Sequence, residues 1–353
     1  MTPRLRSSLL VLTSLLWTGV LWIGPAYALD SAREVPAREI PTPSTASPEL
    51  QVVIATPANP SWNTHPKSAE EWKAFVRARA EPALKGLPGL KQKMDVTVEP
   101  GTIAGVAVFT VTPRQIPARN RNRLLVHVHG GGYVLSPGEA GLPEALLMAG
   151  RGHIKVISID YRMPPDFPYP AAMDDAMAVY KALLKTTPAR RMGIFGTSTG
   201  GGMTLAMVLR AKAEHLPLPA AIAPGTPWSD MTKTGDTYFT NDGVDNVLVS
   251  NEGWLGEAAK VYANGHDLKD PMLSPIYGDV TGFPPTILTS GTRDLFLSNT
   301  VRMHLKLRAA GVPAELLVFE GMSHAQYLFA VDSPESKQHF AELAAFFDKH
   351  LAK

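Results

Sequence analysis

Gly196-Thr197-Ser198-Thr199-Gly200 follows an apolar stretch at residues 192–195 and leads into a helical pattern at 203–213. A strand that turns sharply into a helix at a G-x-S-x-G sequence lifts the serine hydroxyl clear of both elements. A side chain at either flanking position would collide with the neighbouring strand or helix, and glycine at 196, 200, 201 and 202 relieves that crowding. The pentapeptide alone is weak, because a glycine-rich chain meets it by chance. Its strand-to-helix setting gives it weight.

Working outward, short apolar or β-branched runs bounded by turn residues occur at 94–98, 104–111, 124–129 and 154–159. Helical patterns at 139–149, 172–184 and 203–213 separate strands at 154–159, 192–195 and 220–223, and strands at 286–289 and 315–319 flank a helix at 299–310. This alternation predicts an α/β fold, a mostly parallel central sheet flanked by helices on both faces. Residues 228–271, rich in Asp, Asn, Gly and Thr with one weakly helical piece at 252–262, break the rhythm and read as an insertion over the sheet. Ser68 and Glu71 form a capping-box pattern ahead of a helix whose apolar face carries Trp72, Phe75 and Val76, and Pro88-Gly89 marks the change to strand. The segment at about 68–90 and the insertion predict a cap, since loops beyond strand carboxyl ends are where such folds place their sites.

The chain has 353 residues, enough for a well-buried core, and 45% of them are hydrophobic. Arg4 and Arg6 precede an apolar run at 9–23, and Ala26-Tyr27-Ala28 puts small residues where a signal peptidase reads, so residues 1–28 are expected to be a cleaved signal peptide of an exported protein, periplasmic or secreted. The run is too short and too diluted by Thr13, Ser14, Thr18 and Gly19 for a membrane anchor. Residues 29–67 are expected to be a proline-rich leader, because Pro36, Pro41, Pro43, Pro48, Pro57, Pro60 and Pro66 oppose regular structure. The net charge is +2, and Arg4 and Arg6 are the only charged residues before Asp30. Cleavage therefore leaves basic and acidic side chains equal in number, with no field to attract nucleic acid or an anionic membrane. Cysteine is absent, which excludes disulfides, thiolate metal sites and a cysteine nucleophile.

A serine hydroxyl needs a histidine to take its proton and a carboxylate to hold that histidine in the right tautomer. Asp294, in Ser290-Gly291-Thr292-Arg293-Asp294, and His324, in Gly321-Met322-Ser323-His324, each follow a strand and give the order Ser, acid, His. His304, His339 and His350 fall in helical patterns, and His127 alternates within a strand as a core or cap contact. Asp267, Asp270 and Asp279 belong to turns, where Asp commonly bonds its own backbone. In His129-Gly130-Gly131-Gly132-Tyr133, just beyond another strand, a glycine run lets backbone N–H groups face a substrate oxygen. Gly131, Gly132 and Thr199 are the candidate oxyanion donors, and the lysine of a phosphate loop does not follow.

These stretches, with Asp160-Tyr161-Arg162, Tyr169-Pro170-Ala171-Ala172 and Asp174-Asp175, resemble the bacterial hormone-sensitive-lipase-type (family IV) esterases of the α/β-hydrolase superfamily, over most of residues 90–350. The segments at 270–294 and 301–324 most resemble lactone-hydrolase and short-chain esterase members. The resemblance implies an α/β-hydrolase fold with a cap from the N-terminal helices and an insertion at about 228–271. It also implies an oxyanion hole from Gly131, Gly132 and the residue after the nucleophile. Thr197 stands where many members have Asp, as in a known sub-branch, and Thr199 where Ala is usual, which is expected to narrow the acyl pocket.

Asp160, Tyr161, Arg162, Asp174 and Asp175 read as scaffold, with Arg162 pairing a carboxylate. Asn241-Asp242-Gly243-Val244-Asp245 lacks the alternating carboxylates of a calcium loop and reads as a surface turn, so no metal is assigned. The expectation is a serine carboxylesterase for short-chain esters or lactones that needs no cofactor and keeps no stable membrane insertion. Whether it pairs as a homodimer is left open. Deacetylation or amide cleavage by the same triad is the alternative, since pocket shape sets the leaving group. A non-catalytic receptor, as occurs for a plant hormone receptor of this family, would have lost a triad member.

Overall fold

The computed structural model describes residues 32–352, and the expected signal peptide lies outside them. The elements run α1 (Pro48–Ile54), α2 (Ala69–Met94), β1 (Val96–Ile103), β2 (Val106–Pro113), β3 (Leu124–Val128), α3 (Pro143–Gly152), β4 (Lys155–Ile159), α4 (Ala171–Leu184), β5 (Met192–Thr197), α5 (Thr199–Ala213), β6 (Ala221–Gly225), α6 (Thr237–Thr240), α7 (Trp254–Ala263), β7 (Thr286–Gly291), α8 (Leu297–Ala309), β8 (Ala314–Phe319) and α9 (Pro334–His350). The strands form one sheet in the order β1-β2-β4-β3-β5-β6-β7-β8. Strands β1, β2 and β4 pair antiparallel, and every pair from β4 through β3 to β8 is parallel. Parallel neighbours need crossover connections, which the helices provide, so the sheet is covered on both faces and its central strands are buried on both. Both β3 and β5 are buried along their full length. Because β3, β5, β7 and β8 run the same way, the loops after them share one edge.

Three sequence expectations change. The leader is not without regular structure, because α1 forms inside it. The Ser47 hydroxyl accepts from Leu50 N–H, and Pro48 occupies the first turn, where its missing N–H costs nothing. Leu50 and Ile54 of α1 then pack with Phe319, Met322 and Tyr327. Second, α2 continues through Pro82, Pro88 and Gly89 as far as Met94. Each of the two interior prolines costs roughly 3 kcal/mol, and burial of Trp72, Ala80 and Leu87 along one face offsets that cost. Third, the helix expected at 139–149 is a short 3-10 turn at Gly138–Gly141 followed by α3, which Pro143 opens. The Ser68 cap forms as expected, with its hydroxyl accepting from Glu71 N–H. The insertion carries α6 and α7 between β6 and β7, and Trp254 of α7 meets Phe75 of α2 with ring centroids 5.9 Å apart.

Behind β7, His339 of α9 is 1% exposed, stacks on Tyr327 at 4.0 Å, and touches Thr289 Oγ1 with Nδ1 at 3.3 Å. Burial, with Arg151 nearby, pushes its pKa down from 6.5 to about 3. The folded state thus binds fewer protons than the unfolded chain between those values, and stability falls as pH drops through that window. One such histidine removes about 2 kcal/mol between about pH 7 and about pH 5. Urea unfolding of wild type and His339→Gln at both pH values should show the variant losing less stability on acidification by about that amount; equal losses would contradict this assignment.

Candidate active site

Ser198 sits between β5 and α5 with φ 65° and ψ −123°, a backbone region that side-chain-bearing residues rarely occupy. Such strain costs about 1–3 kcal/mol. It is held by three backbone hydrogen bonds: Ser198 N–H to Gly225 O at 2.9 Å, Trp228 N–H to Ser198 O at 2.9 Å, and Gly202 N–H to Ser198 O at 3.0 Å. The flanking glycines allow the turn to press against β3, since a Cβ on Gly196 or Gly200 would lie 2.1 Å from Val128 O. Beneath the turn, Thr197 N–H and Oγ1 donate to Glu144 at 3.1 and 2.7 Å, and Thr197 Oγ1 meets Tyr327 OH at 2.8 Å. His127 joins the same network through Glu144 and Ser158, as a core contact.

Asp294 and His324 meet as predicted. His324 Nδ1 lies 3.0 Å from Asp294 Oδ1, so Nδ1–H donates to the carboxylate and Nε2 is left as a base. Nε2 is buried and has no hydrogen-bond partner among the described residues. Asp294 is wholly buried, which alone would push its carboxyl up. His324, the Thr226 hydroxyl and Phe296 N–H reverse this and hold it below the usual carboxylate range. Its remaining oxygen accepts from Thr226 Oγ1 and, at 2.7 Å, from Ser290 Oγ.

The N–H groups of Gly131, Gly132 and Thr199 donate to no acceptor among the described residues. Gly131 and Gly132 have φ of 117° and 66°, which lets successive amides point the same way, and Thr199 N–H belongs to the first turn of α5. Ser198, His324, Gly131 and Gly132 line one cavity of about 600 Å³. Ser198 and His324 face it without a hydrogen bond between them, a contact that is often loose until substrate binds. Thr199 is buried and does not line the cavity, so its β-branched side chain does not narrow the acyl pocket as expected. Pocket residues from α2 and the insertion, among them Leu87, Leu90, Leu248 and Trp254, supply apolar walls. His129 also faces it. Its Nδ1 donates to Gly130 O at 2.8 Å, and burial takes its pKa down to about 4, so it stays neutral.

The other predicted roles sort cleanly. Arg162 pairs with Asp175 at 2.7 Å, Arg210 with Asp174 at 2.6 Å, and Asp160 accepts from Gly138 N–H, all as scaffold. Asp267, Asp270 and Asp279 each accept from the backbone N–H two residues on. The reading of 241–245 as a surface turn fails for Asp245, which is 0% exposed. Its Oδ1 accepts from Val247 and Leu248 N–H, and its Oδ2 accepts from Leu295 N–H at 2.9 Å and His324 N–H at 3.2 Å. One oxygen therefore ties the loop after Asp294 to the loop that carries His324. Asn241 adds a bond from its amide to Asp294 O at 2.8 Å. Burial and the neighbouring Asp294 charge push the Asp245 carboxyl up, against the pull of His324 and the amides. Asp245, Asp294 and His324 bring ligand-type atoms within 4.8 Å of one another, yet N–H and O–H donors already occupy both carboxylates, so the cluster is a hydrogen-bonded frame. Asp245 and Thr226 carry no sequence signal for this role because the site residues they bond lie 50 to 98 residues away.

A family model described as the alpha/beta hydrolase fold matches residues 125–328. An esterase of Acinetobacter venetianus is 30% identical over 258 residues, 72% of this chain and 83% of the relative. The chain belongs to the α/β-hydrolase superfamily, in its bacterial hormone-sensitive-lipase-type esterase branch. An acetyl-hydrolase of Streptomyces hygroscopicus is 28% identical over 303 residues, 85% of this family member and 96% of the relative. Among solved structures, an esterase E25 is 44% identical with a TM-score of 0.88, covering 91% of this chain and 99% of its own. An esterase from the bacterial hormone-sensitive lipase family is 28% identical with a TM-score of 0.76, covering 87% and 99%.

In this family member the Asp245 bridge makes a separable demand. Asp245→Asn puts an amide N–H₂ where one of the two oxygens accepts N–H groups, and a displacement of the His324 loop by about 1 Å costs roughly a hundredfold in rate. Steady-state kinetics on a soluble ester should show kcat down by about that factor with KM within about threefold; an unchanged kcat would show that the two loops hold their places without the bridge.

Proposed function

We propose that this carboxylic ester hydrolase acts on short-chain acyl esters, lactones included, through an acyl-enzyme on Ser198. The observation that supports the reading most is the convergence on one cavity of a serine on a strained turn, a histidine whose Nε2 is free and whose Nδ1 is bound to a buried carboxylate, and unsatisfied backbone donors. Ser198 Oγ attacks the ester carbonyl while His324 Nε2 takes its proton. The carbonyl oxygen, now negative, sits on the N–H groups of Gly131, Gly132 and Thr199, each worth roughly 3 kcal/mol in the transition state. His324 then protonates the departing alkoxide, and water, deprotonated by the same nitrogen, attacks the acyl carbon and releases the carboxylate.

The apolar walls that α2 and the insertion give the cavity support binding of an acyl chain, and the likeness of the segments at 270–294 and 301–324 to short-chain members supports small ones. The name of the Streptomyces relative favours acetyl esters as a second reading, with the same chemistry and a smaller acyl group. The N-terminal layout supports export after cleavage at Ala28, which would place the activity in the periplasm or the medium.

Hydrolysis of p-nitrophenyl esters from acetate to palmitate tests the reading. Activity should concentrate in the short chains, and Ser198→Ala should lose at least about ten-thousandfold in kcat. Activity that peaks on long chains, or survives the substitution, would overturn it.

A further inference from the structure

Arg79 differs from the arginines of the chain that hold a carboxylate partner. Arg123 pairs with Asp348, Arg162 with Asp175, Arg210 with Asp174 and Glu214, and Arg302 with Asp230. Arg79 is partly buried, and among the described residues it has neither an ion pair nor a hydrogen bond. Its guanidinium carbon instead lies 5.9 Å from the Phe75 ring and 5.8 Å from the Trp254 ring, at the seam between α2 and α7. Burial alone lowers its pKa, which stays far above neutrality.

It also lines the cavity that holds Ser198 and His324. Around it, Pro82, Ala83, Leu87 and Leu90 of the same helix are apolar. The cavity's carboxylate, Glu144, is engaged by Thr197 and His127 and offers Arg79 no partner. A partly desolvated guanidinium without a counter-charge is costly, and two aromatic faces return about 1 kcal/mol each. A planar fork of donors fixed by rings beside a reaction cavity is suited to bind a carboxylate.

We propose that Arg79 anchors a second, ionised carboxylate on the substrate, so that the preferred esters carry an acid group besides the ester itself. The inference rests on the ester-hydrolase reading and narrows its substrate class. Hydrolysis remains the reaction: water adds across the acyl–oxygen bond, and the anchored carboxylate takes no part in bond making or breaking.

The test compares kcat/KM for charged and neutral esters matched in length. On the acyl side, p-nitrophenyl half-esters of succinate, glutarate and adipate are set against butyrate, valerate and hexanoate esters. On the alcohol side, a nitrophenyl acetate whose ring bears a carboxylate is set against p-nitrophenyl acetate. In at least one series the charged-to-neutral ratio should fall about tenfold in Arg79→Met, while the neutral ester changes by less than about threefold. Wild type needs no variant for a parallel reading, since added sodium chloride should depress the charged ester selectively. A ratio that Arg79→Met and salt leave unchanged in both series would overturn the proposal, as would an equal loss on charged and neutral esters, which marks Arg79 as packing alone. Failure of wild type on every neutral ester would instead remove the ester-hydrolase reading, and the proposal with it.

Discussion

Everything in the site follows from holding one residue in a conformation it would not choose. Ser198 occupies an unfavourable φ,ψ because β5 ends, turns and becomes α5 within a single residue. Three backbone bonds of about 1 kcal/mol each offset strain of similar size. The turn closes only because Gly196 and Gly200 have no side chain to meet the Val128 carbonyl. Such contacts are backbone against backbone, so neighbours cannot rotate away from an added methyl group. The same approach of β3 to the turn brings Gly131 and Gly132 to the cavity that Ser198 lines.

The strained serine is useful only if the base stays opposite it, and that depends on loops from three separate strands. β6 leads into Thr226, β7 leads into Asp294, and β8 leads into His324. Thr226 bonds to Asp294, Asp294 to His324, and Asp245 spans the Asp294 and His324 loops from the insertion. Covering the sheet and fixing the base are thus done by one segment. The former leader contributes as well: Asn246 donates to Val53 O and Thr56 O at 3.0 and 2.8 Å, and Gln326 donates to Asn246 Oδ1 at 2.8 Å.

The strands were legible because their apolar runs are short, β-branched and separated by turn residues, and because buried parallel strands leave no polar alternation to confuse. Ser198, Asp294 and His324 were legible because each follows such a strand. Asp245 was not, because a carboxylate whose two near amides make an ordinary Asp turn looks, in sequence, like any Asp in a turn-rich stretch, and its two distant partners, Leu295 and His324, do not show. Proline density misled in two places. Pro48 sits at a helix start, where it fits, and Pro88 sits within a helix whose buried face outweighs the local cost. Thr199 misled because helical position alone does not say which way a side chain points.

The covalent step is the claim on which the others rest. It is tested most directly by reacting the protein with a p-nitrophenyl phosphonate ester and measuring intact and peptide masses. The account predicts one phosphonyl group per chain, carried by the peptide containing Ser198, with loss of esterase activity in proportion and no labelling of Ser198→Ala. Labelling at another residue, or full esterase activity in a fully labelled protein, would contradict it.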